Sequence, residues 1–254
     1  MLDGDAYSEQ ARDMLLSIDP KHLDKSDRVQ TELNLALCHH SLESVPDAIS
    51  SAEKVISLDK RSHAAVQAQW IILQNKPNDD QTDARLNQLL KTAESRNISA
   101  VANSIKLERA RNEPDSVAQR GMYESIMAQA NSKGETYDSV RAIVALGSAN
   151  SYGNASQDKN RLIQAYHYLY KGGFLYLFNL CHDALWRIFE QERDMTNLLQ
   201  LFKYSSLVWR LRGIENREHE AIKKLKSYVS GQAIEVTASS QTMAYYIFRS
   251  TPGS

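Results

Sequence analysis

Residues 29–60 read VQTELNLALCHHSLESVPDAISSAEKVISLDK, and this stretch decides the fold. Its apolar residues recur at helical spacing, and Pro46 interrupts the pattern once. A proline suits the first turn of a helix, where its missing N–H has no partner to lose. The stretch therefore predicts two helices. One runs from about Ser26 to Leu42, capped by Ser26 or Asp27, with Leu33, Leu37 and His40 on one face at i, i+4, i+7 spacing. The other runs from Pro46 through Leu58, and Lys60 closes the pair.

Outward from this pair, the same rhythm continues. Pro20, Lys60, Asn97, Gly134, Gly172 and Gly213 each end an apolar, helix-patterned run, at successive intervals of 40, 37, 37, 38 and 41 residues. A second break falls inside each interval, around Pro46, Pro77, Pro114, Gly153 and Asp194. No proline falls inside a predicted helix, so local chemistry and pattern agree. The expected fold is all-α: a right-handed α-solenoid of antiparallel helix pairs, about twelve helices in one continuous array.

Composition narrows the class. Of the 254 residues, 42% are apolar and 24% charged, ordinary for a soluble protein. No apolar run approaches the length of a membrane span, and the N-terminal MLDGDAYSEQ lacks the basic start and apolar stretch of a signal peptide. Cys38 and Cys181 lie far apart in helical patterns, which predicts reduced thiols and a cytoplasmic location. The net charge of −1 hides an asymmetry. Residues 1–150 carry 17 basic and 22 acidic residues, a balance of −5, and residues 151–254 carry 13 and 9, a balance of +4. Four of the 20 aromatic residues precede position 151 and 16 follow it. The polar stretch from Gly147 to Asn160 reads as a loop inside the fourth pair and marks this change. Strong helix patterns follow at 158–171, 174–190, 194–211 and 215–229, and the tail from Gln232 reads as a short strand or a short helix.

The segment 29–60 resembles a tetratricopeptide repeat. Leu35-Ala36 supplies a large residue followed by a small one, Ala48 supplies the small residue of the second helix, and DAISSAEKVISLDK resembles the family's helical ending. Small side chains at Ala36 and Ala48 would let the paired helices approach closely. EQARDMLLSIDP resembles the same ending, so residues 6–20 read as a second helix without its first: an N-terminal cap or the start of a piece. The pattern also departs from the family. Glu32, His39 and Ala52 stand where it has aromatic residues, and Lys60 stands where it has proline. The chain thus resembles a degenerate tetratricopeptide-like array: 1–150 acidic repeats, 151–231 aromatic, basic repeats, and 232–254 a tail.

Catalytic and metal patterns are weak. Cys181-His182-Asp183 and Cys38-His39-His40 are consecutive, and consecutive helical residues fan out about 100° apart, so neither set converges on one point. The first is read as a buried cysteine beside a surface His-Asp. His219-Glu220 lacks the second histidine of a zinc-protease helix, and no phosphate-binding glycine loop occurs. The expectation is no enzyme, cofactor or metal. Tyr166, Tyr168 and Tyr170 are two apart, so they cannot share one helix face. Some of them must reach a groove or a partner.

The function expected is recognition of a protein or peptide on a repeat surface, as a scaffold or sensor. Candidate contacts are Glu32, His39, Gln69, Asn103 and Arg141 on first helices, and Tyr168, Tyr176, Trp186 and Arg210 in the aromatic half. Two alternatives stand beside it. The stretch from Leu177 to Gly213 resembles C-terminal sensor regions of bacterial signal-transduction NTPases, including antiviral defence proteins. The basic, aromatic half also suits nucleic acid, although a sequence pI near 6.7 opposes strong binding.

Overall fold

Among the described residues, six corners between helices are closed by one residue in the left-handed region. The structure, a computed structural model, describes residues 2–76, 79–149 and 155–230. Among them are twelve α-helices and one 3-10 turn, Pro20–His22, with no strand. The helices are α1 (Leu2–Leu16), α2 (Lys25–Ser41), α3 (Val45–Leu58), α4 (His63–Asn75), α5 (Thr82–Ser95) and α6 (Ser99–Asn112). They continue with α7 (Ser116–Ser132), α8 (Thr136–Ser148), α9 (Ala155–Gly172), α10 (Leu175–Gln191), α11 (Met195–Arg212) and α12 (Glu215–Ser230).

Positive φ occurs at Glu43, Asn97, Gly134, Gly173, Arg193 and Gly213, between 56° and 73°. At five of these corners the next residue's N–H returns to the carbonyl five positions back. The pairs are Ser44 to His39, Ile98 to Ala93, Glu135 to Ala130, Asp194 to Phe189 and Ile214 to Trp209, at 2.8–2.9 Å. This bond satisfies carbonyls that a helix end otherwise leaves open. The same returning residue then begins the next helix, so Ala102 N–H bonds Ile98 and Leu198 N–H bonds Asp194. Two or three residues therefore separate helices that must run back along each other. Other corners use side-chain caps instead: Asp24 accepts from Asp27 N–H, Ser62 from Ala65 and Asp115 from Ala118. The cap of α2 is thus Asp24, two residues before Ser26 and three before Asp27, and Pro46 does lie in the first turn of α3.

The chain divides into two compact units, Met1–Ala145 and Leu146–Ser254. In each, helices pack on their neighbours in chain order. The first unit stacks α1 on α2, α2 on α3 and α3 on α4, then continues through α7, with α2 also meeting α4 and α4 meeting α6. In the second, α9 packs on α10, α10 on α11 and α11 on α12. This is an all-helical, repeat-like array. Its first core joins Val29, Leu33, Ala36, Ala48, Ala52, Val55, Ala68 and Ile71. Ala36, Ala48 and Ala52 have no exposed surface, which is what close helix approach requires. The buried face of α2 runs through Val29, Leu33 and Ala36, so Leu37, expected inward, is instead 45% exposed. A second core joins Val66, Leu89, Ala93, Ile98, Val101 and Ile105.

The loop expected across Gly147–Asn160 is shorter, because α8 continues to Ser148 and α9 begins at Ala155. The tail expectation, from Gln232, lies outside the described residues.

A non-glycine residue in the left-handed region carries about 1 kcal/mol of strain that glycine avoids. Arg193→Gly and Glu43→Gly should therefore each stabilise the protein by about 1 kcal/mol, whereas Gly134→Ala should cost about as much. Urea denaturation midpoints check this, and midpoints that fell for both glycine variants would contradict the corner geometry.

Candidate functional site

In the first unit the five sequence candidates divide sharply. Asn103 on α6 is 2% exposed, and its Nδ2 donates to Asp138 Oδ2 at 2.8 Å and Glu135 Oε2 at 3.1 Å. Arg141 on α8 donates to Asp138 Oδ1 at 3.1 Å and Ser104 Oγ at 3.0 Å, with its guanidinium over the Tyr137 ring. Asp138 is itself buried, and these donors compensate its carboxylate. Asn103 and Arg141 are thus brought together as a tie between α6 and α8. Glu32, His39 and Gln69 are not part of it. Glu32 Oε1 lies 3.5 Å from Lys54 Nζ across the α2–α3 pair, His39 is half-buried, and Gln69 is exposed on α4.

The second unit has a buried polar network at its centre. Ser205 on α11, fully enclosed, lies 2.7 Å from His182 Nδ1 on α10 and 2.8 Å from Tyr166 OH on α9. One hydroxyl proton serves two neighbours, so Ser205 donates to one and accepts from the other. His182 is 3% exposed, with the Trp209 ring edge-on at 4.8 Å and the Trp186 ring at 5.5 Å. Burial pulls its pKa down to about 3, and the positive charges of Arg217 and Lys224 add to this. Burial also raises the Tyr166 hydroxyl and the Cys181 thiol well above their ordinary values. The Cys181 thiol donates to the Leu162 carbonyl at 3.4 Å. Asp183 turns outward and accepts two bonds from Arg217 of α12, at 3.2 and 3.0 Å.

Cys181, His182 and Asp183 therefore point three ways, as helical geometry requires. His182, however, is interior and not a surface residue. The hydroxyl–imidazole pair resembles a nucleophile and base, but its enclosure makes it a core network in this conformation. Trp186, 4% exposed, belongs to the same core, which closes it to a partner. Trp209 is anchored by its Nε1–H on Asn179 Oδ1 at 2.9 Å.

The surface of this unit is different in kind. Among the described residues its exposed large apolar side chains are Tyr170, Phe174, Tyr176, Tyr204, Leu207 and Leu211. All lie at the end of α9, the start of α10, or along the outer face of α11. Tyr204, Leu207 and Leu211 recur at i, i+3, i+7 and form one stripe. The Tyr170 ring meets Tyr204 edge-on at 6.1 Å, joining α9 to that stripe. Beside it a cavity of about 310 Å³ opens between the last turns of α9 and α11. Leu169 and Phe178, each 1% exposed, make its floor. Leu175, Val208 and Leu211 make its walls, and Lys171 and Arg212 stand on the rim.

Gly172-Gly173 shapes this corner twice. A Cβ at Gly172 would meet the Phe174 ring at 2.5 Å, so glycine lets that ring lie back, stacked on Tyr168 at 5.9 Å and 11°. A Cβ at Gly173 would lie 3.1 Å from the Arg212 guanidinium. Of the sequence candidates here, Tyr176 is 71% exposed and Tyr168 is half-buried against Phe174. Arg210 is exposed and bonded to Glu218. Sequence reasoning missed Tyr170, Lys171, Tyr204, Leu207, Leu211 and Arg212 as a set. Its available signal was α11 itself, which is apolar on two faces: Leu198, Leu201, Phe202 and Trp209 are buried, while Leu207 and Leu211 are exposed.

Among the described residues no group of three or more His, Cys, Asp or Glu side chains is placed to hold a metal ion. No described helix is long and apolar enough to cross a membrane. Neither a protein-family model, nor a curated protein, nor a solved structure matches the chain.

His182 yields a pH prediction. Its folded pKa, about 3, lies below its unfolded value near 6.5, so the unfolded state binds the extra proton as the pH falls between them. Stability from the neutral imidazole is complete above about pH 6.5 and declines toward pH 3. The stability difference between wild type and His182→Gln should therefore be smaller by about 2 kcal/mol at roughly pH 4.5 than at pH 7. Urea denaturation at both pH values measures it, and a constant difference would contradict the neutral, enclosed imidazole.

Proposed function

We propose that this chain is a recognition module that binds a protein or peptide on its helical-repeat surface and performs no chemistry itself. One observation carries the reading: among the described residues, the large exposed apolar side chains of the second unit are gathered around the end of α9, the start of α10 and α11, beside an open cavity. A contiguous apolar patch of this kind is costly to leave in water and is characteristic of surfaces that are covered by a partner. Tyrosine suits such a place, since its ring is apolar and its hydroxyl tolerates water.

The likeness to tetratricopeptide repeats belongs to this reading. It is supported by the fully enclosed Ala36 and Ala48 at the two positions where close packing needs small residues. Reduced Cys38 and Cys181 are in keeping with a cytoplasmic setting. Protein is favoured over nucleic acid by the charge arrangement. Arg217 is paired with Asp183, Lys159 with Glu192, Arg161 with Asp158 and Arg210 with Glu218. These pairs neutralise much of the basic surplus that phosphate binding would use.

The test compares the wild-type chain with a Leu207→Glu/Leu211→Glu variant whose helicity is first checked by circular dichroism. Both side chains are exposed, so folding should survive the change. Proteins captured by the wild type should be retained about ten-fold less by the variant, a loss of about 1.4 kcal/mol. A labelled single-stranded oligonucleotide should bind neither at low salt. Equal capture by both chains, or tight and salt-dependent oligonucleotide binding, would overturn the reading.

A further inference from the structure

We propose that the cavity at the α9–α10 corner is an anchor pocket for an acidic peptide segment, taking one large apolar side chain while Lys171 and Arg212 engage a carboxylate beside it. This rests on the recognition reading above and specifies what is recognised.

Size and lining come first. A volume of about 310 Å³ is at the lower end of the roughly 300–1,000 Å³ usual for ligand pockets. It suits one inserted side chain. Leu169, Phe178, Leu175, Val208 and Leu211 give floor and walls that offer dispersion contacts and no charge. The Tyr204–Leu207–Leu211 stripe extends the apolar surface along α11, so a peptide seated here has further surface to lie against.

Charge supplies the second half of the argument. The rim carries two cations, Lys171 and Arg212, and the lining contains no acidic residue. Arg210, two residues before Arg212, is held by Glu218, whereas Lys171 and Arg212 have no ion-pair partner among the described residues. Helix dipoles explain why cations sit at the C-terminal ends of α9 and α11. The same dipoles would repel an anion from the backbone, so a carboxylate must meet the side chains. Arg212 is well placed for this: its guanidinium lies over Gly173, and a planar fork takes a carboxylate with two parallel bonds. A concave, walled pocket favours an inserted side chain over a flat anionic membrane, which would meet the same charges without filling the cavity.

The experiment selects a random twelve-residue peptide library, displayed on phage, against the whole chain. Enriched peptides are synthesised with a fluorophore and titrated by anisotropy. They should carry Leu, Ile, Met, Phe or Trp within two positions of Asp or Glu. Val208→Trp, which fills the cavity, and the exposed Leu211→Glu should each weaken binding about ten-fold or more, and Arg212→Glu should weaken it while lowering its salt dependence. Leu211→Glu guards against misfolding of the tryptophan variant. The proposal is overturned if no peptide is enriched, if enriched peptides are basic, or if phosphatidylserine vesicles bind the chain and displace the peptides. It is also overturned if the peptides bind the Leu211→Glu and Arg212→Glu variants as tightly as wild type. In that last case recognition stands and only its placement at this pocket fails.

Discussion

The left-handed residue that closes a helix is the constraint on which the rest of this structure depends. At Glu43, Asn97, Gly134, Arg193 and Gly213 it reverses the chain, returns the next N–H to a carbonyl five residues back, and starts the following helix within two or three residues. A connection this short leaves the new helix only one place to go, against the helix it has just left. Small residues then decide how close that approach is, as at Ala36, Ala48 and Ala52. Once neighbours are paired, polar ties register alternate helices: His40 with Asn75 on α2 and α4, Asn103 with Asp138 on α6 and α8, and Asp183 with Arg217 on α10 and α12. Such ties contribute less to net stability than to specifying one arrangement, and most strictly at the buried Asn103–Asp138 pair, where an unpaired partner would be strongly penalised.

The corner rhythm was legible because it is local. Asn97, Gly134 and Gly213 tolerate positive φ by their own chemistry, and they announce it in the sequence. Glu43 and Arg193 adopt the same conformation with no such sign, so the breaks inside the pairs were placed on neighbouring residues, Pro46 and Asp194. The small residues of α2 and α3 were legible for the same local reason. The orientation of polar and aromatic residues was not. His182 read as a surface residue because nothing nearby in sequence compensates an imidazole; its partner, Ser205, lies 23 positions away. Asn103 depends on Asp138, 35 positions away. Trp186 looked like an interface residue by type and is a core residue by location.

The site was half legible. The concentration of aromatic residues after position 150 pointed to the second unit, and Tyr176 is indeed its prominent exposed ring. The outer stripe of α11 was hidden by its inner stripe, since a helix that is apolar on two faces has no single direction to assign. The pocket was hidden altogether, because it needs the ends of α9 and α11 side by side with a glycine pair between α9 and α10. The recognition proposed above draws on this arrangement: apolar floor, aromatic apron and cationic rim.

The measurement that tests this most directly is hydrogen exchange by mass spectrometry, on the whole chain with and without a bound partner or selected peptide. The account predicts slowed exchange in two segments, residues 168–178 and 204–212, with the α4 and α6 peptides unchanged. Protection confined to α2, α4 and α6, with none at the α9–α10 corner, would contradict it.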